Sequence, residues 1–262
     1  MVKKAVQWTF VSLVLIFLYA PILTLMVFSF NAGKSMGKWQ GFSLDWYAQL
    51  FRDSTLMNAL WVTLTIAVLA AVCATILGTL AAVGIHSMKR RSRSLVENVT
   101  YIPMISADII TGISLMLLFI FLGVRLGYGT MLIAHITFNL PYVIFSVLPK
   151  LQQLPQNQYE AAMDLGARPA YALRRVILPQ IVPGIFTGFI FAFTLSIDDF
   201  VISYFTSQDV SNLSMTIYSM ARRGLNPKIN ALSTLMFVCV LTLLIIVNVR
   251  SRRQSKKIKE RV

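Results

Sequence analysis

Glu160-Ala161-Ala162-Met163-Asp164-Leu165-Gly166, followed after nine residues by Val176-Ile177-Leu178-Pro179, sits in a polar interval, Lys150 to Val182, that interrupts an otherwise apolar chain. Tyr159 to Leu165 is expected to form a short helix, stopped at Gly166, the residue type that ends helices in the left-handed conformation. A second short helix is expected from Pro169, which suits a first turn, with Leu173, Val176 and Ile177 on one face and Pro179 preventing continuation. A helix–glycine–helix unit of this size cannot fold alone. Its apolar face is therefore expected to lie against a partner or the membrane surface.

On either side of this interval the chain is too apolar for a soluble globule. Hydrophobic residues make up 56%, charged residues 13%, and the mean hydropathy is +0.70. Six segments have spanning length: roughly Trp8–Phe30, Asn58–Gly84, Asn98–Gly123, Gly129–Leu148, Pro183–Phe205 and Ala231–Val249. Each offers about 20 residues, enough to cross ~30 Å of hydrocarbon as helix. Helix is the form that fits, because unpaired backbone groups cannot face lipid. The expectation is an all-α polytopic membrane protein whose residues 1–262 form one transmembrane domain with six spans.

The formal charge of +14 does not indicate nucleic acid, since the basic residues flank hydrophobic spans rather than gather on a soluble face. They set orientation instead. The connections on the side of the N-terminus hold 17 Lys and Arg, and those on the other side hold 7. Both termini and the Lys150–Val182 interval are thus expected in the cytoplasm. Lys3-Lys4 ahead of an apolar run reaching Phe30 is expected to be a retained first span, because the core of a cleavable signal is shorter, roughly 7–15 residues. Cys73 and Cys239 lie inside spans without a Cys-x-x-Cys neighbour, so they support neither a disulfide framework nor a zinc site.

The spacing Glu-Ala-Ala-x3-Gly-x9-[Ile/Val]-x-Leu-Pro, before the penultimate span, resembles the coupling loop of ABC-importer membrane permeases. Glu160, Ala161, Ala162, Gly166, Leu178 and Pro179 match that pattern, and Val176 stands where isoleucine is usual. The resemblance implies a MetI-like permease fold in the bacterial inner (plasma) membrane, with this loop docking in a groove on an ATP-hydrolysing subunit. Small alanines let another surface approach, and Glu160 is placed to pair with a basic group there. Arg168 departs from the Ser or Thr natural at a helix cap. Gly33-Lys34-Ser35 is not a nucleotide loop, because Phe28 occupies the position of the first glycine of that motif. The chain is expected to be no enzyme and to hold no cofactor, Mg-ATP being bound by partner subunits.

The first outer loop, Asn31 to Met57, carries Trp39, Phe42, Trp46, Tyr47 and Phe51. An interfacial helix over Leu44–Arg52 accounts for these aromatics. The sharper alternative makes Trp46 part of a docking surface or a rim over the pathway. Leu77 to Gly84 in the second span is rich in small residues that permit close helix packing. His86 and His135 are isolated, and His135 is expected to hydrogen-bond a neighbour rather than a ligand.

Carboxylates inside spans carry the substrate reading. One near the bilayer centre costs ~2.5–3.5 kcal/mol on insertion scales, so it normally faces a cavity or a partner. Asp108 is expected near the midplane of span three, one turn beyond a bend at Pro103; Asp198 and Asp199 are expected in the outer half of span five. Adjacent helical residues point about 100° apart, so only one of that pair is expected to line the route. Ser196, Thr194 and Ser203 add hydroxyls, and Tyr19 and Tyr204 offer rings for a cation–π contact. No Lys or Arg lies within the expected spans to balance these acids, which points to a cationic cargo. Hydrogen bonding between helices, or pairing to a partner subunit, is the structural alternative for each acid.

Pro103-Met104-Ile105-Ser106-Ala107-Asp108-Ile109-Ile110, Ala134-His135-Ile136-Thr137-Phe138-Asn139-Leu140-Pro141 and Phe193-Thr194-Leu195-Ser196-Ile197-Asp198-Asp199-Phe200 together resemble permeases of the spermidine/putrescine family over nearly the full length. That resemblance implies a second, homologous permease subunit, two ATPase subunits and an extracytoplasmic polyamine-binding protein. The same architecture also admits ferric ion, another organic cation or an amino acid. An intramembrane aspartyl protease or a prenyltransferase fits poorly. There is no Gly-x-Gly-Asp element, and Ile202 stands where Asp-Asp-x-x-Asp needs its third acid.

Overall fold

The computed structural model describes residues 2–34, 38–155, 157–224 and 227–242. Apart from a single antiparallel bridge between Asn31 and Phe42, regular structure among them is helical. In chain order the helices are α1 (Val2–Ser29), α2 (Asp45–Arg52), α3 (Ser54–Ser87), α4 (Arg90–Ile105), α5 (Asp108–Phe121) and α6 (Tyr128–Gln152). There follow α7 (Asn157–Asp164), α8 (Pro169–Ala172), a π-helical turn (Leu173–Ile177), α9 (Leu178–Asp198), α10 (Val201–Thr206), α11 (Leu213–Arg222) and α12 (Pro227–Thr242).

Val6–Ser29, Ser54–Ser87, Tyr128–Gln152 and Pro169–Asp198 are each long and apolar enough to cross a membrane. Helices α4 and α5 pass the same test only together, bent by 103°. Expected span three is therefore broken. Pro103 is accommodated inside α4, and the chain turns at Ser106–Ala107, both extended, so that Asp108 opens a new helix. The expected sixth span, Ala231–Val249, is covered by α12 as far as Thr242, and its remainder lies outside the described residues.

The chain forms two compact units, one running from Asn58 to Thr216 and the other joining the residues before and after it. In the larger unit α6 is the central helix. His135, Asn139, Val143 and Val147 recur every four residues along it and are all buried, so one stripe of the helix is enclosed. Helix α9 packs along α6 with two glycines in the contact. A Cβ on Gly184 would stand 2.9 Å from the Ser146 carbonyl oxygen, and one on Gly188 would stand 3.2 Å from the Val143 Cα. Helix α3 approaches the same stripe at Gly78, where a Cβ would meet Val143 Cγ1 at 2.7 Å. Tyr101 of α4 stacks on Phe145 of α6 with ring centroids 3.8 Å apart.

In the other unit α1 leaves its apolar side chains uncovered, Phe17 at 80% exposure, as suits a helix whose surroundings are as apolar as it is. The outer loop is folded rather than loose. Trp46 Nε1 donates to the Asn31 carbonyl at 2.7 Å, and the Asn31 side-chain oxygen accepts from Gln40 N at 2.7 Å. The helix expected over Leu44–Arg52 is present as α2, one residue shorter at its start.

The polar interval behaves differently from its expectation in two respects. Gly166 does end α7, at φ +83°, and Pro169 does open α8. Pro179 does not end the second helix, however. The preceding turn widens to π geometry, with Leu178 N–H reaching back to the Leu173 carbonyl, and Pro179 falls in the first turn of α9, where its missing N–H costs nothing. The other correction concerns the apolar face of Leu173, Val176 and Ile177. It lies on the chain's own core with Leu151 and Ile181, not on a partner or the membrane surface. The side chains turned outward are Leu165, 90% exposed, and Tyr171, 60% exposed.

Candidate functional site

Both acid-bearing positions coincide with helix breaks. Asp108 is the first residue of α5, immediately after the 103° turn, and its side chain is exposed. Tyr142 of α6 lies within its electrostatic reach. One turn further on, Gly112 packs against α10, where a Cβ would meet Phe205 at 3.1 Å. Helix α10 begins two residues after Asp199, so the two breaks flank one packed helix pair.

At the second break the two aspartates separate completely. Asp198 is the last residue of α9 and is exposed. Asp199 is extended (φ −63°, ψ 124°), and its carboxylate turns inward, accepting from Ser203 N at 2.8 Å, Ser203 Oγ at 2.8 Å and Ile202 N at 3.2 Å. His135 Nε2 stands 2.9 Å from Ser203 Oγ and 3.4 Å from Asp199 Oδ2. Asn212 Nδ2 donates both to the Asp199 carbonyl and to Ser203 Oγ, each at 2.8 Å. The two acids do diverge, but through a break in the helix rather than through the 100° step of a continuous one.

This network fixes its own protons. The Ser203 hydroxyl gives its single hydrogen to Asp199, while Asn212 spends an amide hydrogen on the same oxygen. His135 can then meet that oxygen only as a donor from Nε2. The carboxylate is matched by two backbone amides and a hydroxyl, with the imidazole 3.4 Å away, so a buried polar group is left with partners.

Of the other expected residues, Ser196 is buried and accepts from Asn139 Nδ2 at 2.7 Å, joining α9 to α6. Tyr204 is 55% exposed, with its ring against Phe200 and edge-on to Phe205. Tyr19 is exposed on α1, and Trp46 is buried in the smaller unit. There Trp46 lines a cavity of about 540 Å³ with Lys34, Gln49, Arg223 and Lys228. Beside it Lys228 Nζ lies 3.0 Å from Asp53 Oδ2, and this bond holds the Asp53 carboxyl below its ordinary value. A lowered carboxylate pKa stabilises the fold above the unfolded value and stops doing so as pH falls through the folded one. Lys228→Met is therefore expected to lower stability at neutral pH, by no more than about 1 kcal/mol for a partly exposed pair, and the share owed to Asp53 is lost once Asp53 is protonated. Melting wild type and variant side by side from about pH 7 down to about pH 2 checks this.

Glu160 and Tyr159 of α7 line a second cavity, about 740 Å³, with His86, Arg93, Leu151 and Leu173. Ala161 is exposed and Ala162 partly so, Gly166 is exposed at the tip, and Leu178 and Pro179 begin α9. The six motif residues thus span one loop and the root of the helix that ends at Asp198.

Residues 74–260 match the family described as "Binding-protein-dependent transport system inner membrane component". The chain belongs to that family. Among the permease's curated relatives is "Spermidine/putrescine transport system permease protein PotC" of Escherichia coli K12. It is 37% identical over 257 residues, covering 98% of this chain and 97% of the relative. "Putrescine transport system permease protein PotI" of the same strain is 42% identical over 243 residues, covering 89% and 86%. Among solved structures, a chain of a bacterial alginate ABC transporter in complex with its pentasaccharide-bound periplasmic protein superposes with a TM-score of 0.75. It is 20% identical, with 96% and 94% of the two chains covered, and it shows that the fold is shared.

Two residues of the permease's second break stand outside the set expected from the sequence. His135 is expected there only to bond a neighbour, and Asn212 is not singled out at all. The i, i+4 spacing of His135 and Asn139 in a hydrophobic span is a legible signal that this face of α6 is polar and enclosed. Asn212 carries none, because it acts from the loop between α10 and α11.

Proposed function

We propose that this permease is the membrane-spanning subunit of an ATP-driven importer for polyamines of the spermidine and putrescine class. The observation that carries the reading is the state of Asp108 and Asp198. Both are exposed at breaks in apolar helices, and among the described residues neither has an ion-pair partner. Discontinuous spans with open polar groups are how transporters build sites at membrane depth. Uncompensated carboxylates there select for positive charge. A linear polycation with ammonium groups at both ends suits two separated acids better than a point cation does. The names of the relatives support the same class.

The partners follow from this reading: a homologous second permease subunit, two ATPase subunits that bind Mg-ATP, and an extracytoplasmic polyamine-binding protein. With both termini cytoplasmic, the loop from Glu160 to Gly166 faces the ATPase, and Leu165 and Tyr171 offer it apolar side chains. Closure of the ATPase pair moves that loop. The continuous run from Pro169 to Asp198 carries the motion to the Asp198 break. The permease itself contributes no nucleotide site to this cycle.

Uptake of labelled spermidine and putrescine into proteoliposomes holding the assembled transporter tests the proposal. Asp108→Asn and Asp198→Asn are each expected to reduce uptake at least about tenfold, the equivalent of ~1.4 kcal/mol, with assembly intact. Wild-type uptake in both variants would overturn it.

A further inference from the structure

Among the described residues of the larger unit, the cluster of His135, Ser203 and Asn212 around Asp199 is a buried titratable group that the proposed transport reading leaves without a task. We infer that His135 and Asn212 are positioning residues that aim the Asp198 carboxylate at the substrate. They act through Asp199 and do not touch the substrate themselves. The inference rests on the proposed role of Asp198.

Helix α9 stops at Asp198 without a glycine or proline to stop it; the one local signal is Asp199, a helix-capping residue type whose carboxylate accepts from the first amides of α10. No glycine or proline lies between Thr194 and Thr206, and Phe193 to Phe205 would otherwise propagate as one apolar helix. The break is made by Asp199 and braced from outside. Asp199 turns out of helical geometry and spends its carboxylate on the first amides of α10, so the backbone at this point is fixed only as well as Asp199 is. Asp199 is in turn gripped from two elements. His135 reaches it from the buried stripe of α6, and Asn212 reaches its carbonyl from the loop ahead of α11. Both meet at Ser203 Oγ, which makes that hydroxyl the shared pin. Asn212 is itself held, since its Oδ1 accepts from Met215 N at 2.8 Å.

The consequence is a division of labour between adjacent acids. Asp199 is enclosed, its side chain 7% exposed, and both of its oxygens already accept from α10. Asp198, one residue away, inherits a fixed backbone direction and keeps its carboxylate open. A carboxylate held within ~0.5 Å of its working position binds better than a mobile one, because the ligand does not bear the cost of ordering it. Loosening the clamp therefore weakens recognition before it affects turnover.

Spermidine uptake by the complete transporter, with binding protein and ATPase subunits, separates this role from simple support. His135→Leu is expected to raise KM about five- to tenfold with kcat changed less than about twofold. His135→Gln places an amide N–H where Nε2 stood and is expected to restore KM to within about twofold. In an Asp198→Asn background His135→Leu is expected to add nothing further, the mark of one residue acting through another. Should His135→Leu not assemble, Asn212→Ser loosens the same pin from the opposite side and gives the same reading. A lower yield of complex with unaltered KM in what assembles would overturn the inference, and so would losses that add across the double variant. If Asp198→Asn alone leaves uptake intact, the failure lies with the proposed pathway rather than with the clamp.

Discussion

Asp199→Leu is expected to destabilise the permease by about 3 kcal/mol or more, since three buried donors each lose their acceptor at about 1–3 kcal/mol apiece, while its neighbour's substitution Asp198→Asn is expected to change stability by no more than about 0.5 kcal/mol. The contrast comes from what each carboxylate leaves behind. Leucine at position 199 strips the acceptors from Ile202 N, Ser203 N and Ser203 Oγ at once, and its branched chain cannot offer any of them a substitute. Two of these are backbone amides at the start of α10, with no earlier turn of their own helix to bond to. Ile202 and Ser203 are fully buried, so water does not reach the orphaned donors. Asp199→Asn is expected to fall between, because one oxygen remains to accept while the new amide faces amides. Asp198 has no such dependants. Thermal melting of the detergent-solubilised protein reads the difference directly. If the midpoints of Asp199→Leu and Asp198→Asn fell within about 2 °C of each other, the distinction between an enclosed, structural acid and an exposed one would be lost.

Much of the fold is readable in the sequence because lipid imposes few solutions. Five apolar runs, the stop at Gly166, the start at Pro169 and the α2 helix follow from composition, left-handed glycine and the fixed φ of proline. The breaks are not readable. Pro103 suggests a bend and one occurs, but at Ser106–Ala107, where no residue type announces it. The break at Asp199 is capped locally by its own carboxylate, but the contacts that brace it come from His135 and Asn212, 64 residues before it and 13 after it. A bond across that separation leaves no local periodicity. For the same reason the three acids can be found from their rarity in spans, whereas the inward turn of one and the outward turn of another cannot. Pro179 misleads because a helix has a second way to absorb a proline. It widens by one residue and restarts, and the local pattern does not say which will happen.

The glycines show the same limit. Gly78 and Gly84 stand in one run of small residues and look equivalent, yet a Cβ at Gly78 collides with Val143 and one at Gly84 meets nothing within 4 Å. Gly184 and Gly188, four residues apart in α9, form the contact that matters most, since α6 is the helix on which the larger unit is built. At Gly184 a Cβ would lie 2.8 Å from Lys150 Cγ and 2.9 Å from the Ser146 carbonyl oxygen. The lysine side chain can swing aside, but the carbonyl belongs to the α6 backbone and cannot. Gly184→Leu must therefore push the two helices apart, and is expected to cost about 3 kcal/mol or more, at or beyond the upper end for overpacking. The same separation pulls Ser196 from Asn139, so the loss spreads towards the Asp198 break. Gly188→Ala meets the Val143 Cα at 3.2 Å and needs a shift of only a few tenths of an ångström, for about 1 kcal/mol. Gly84→Ala is expected to act in the opposite sense, gaining about 0.5–1 kcal/mol of helix propensity in open space. The fraction of monodisperse protein surviving a heating series should rank Gly84→Ala above wild type, then Gly188→Ala, then Gly184→Leu. Gly184→Leu matching wild type in that series would mean that α9 does not approach α6 as closely as described, and the proposed path from the Glu160–Gly166 loop to Asp198 would need another helix.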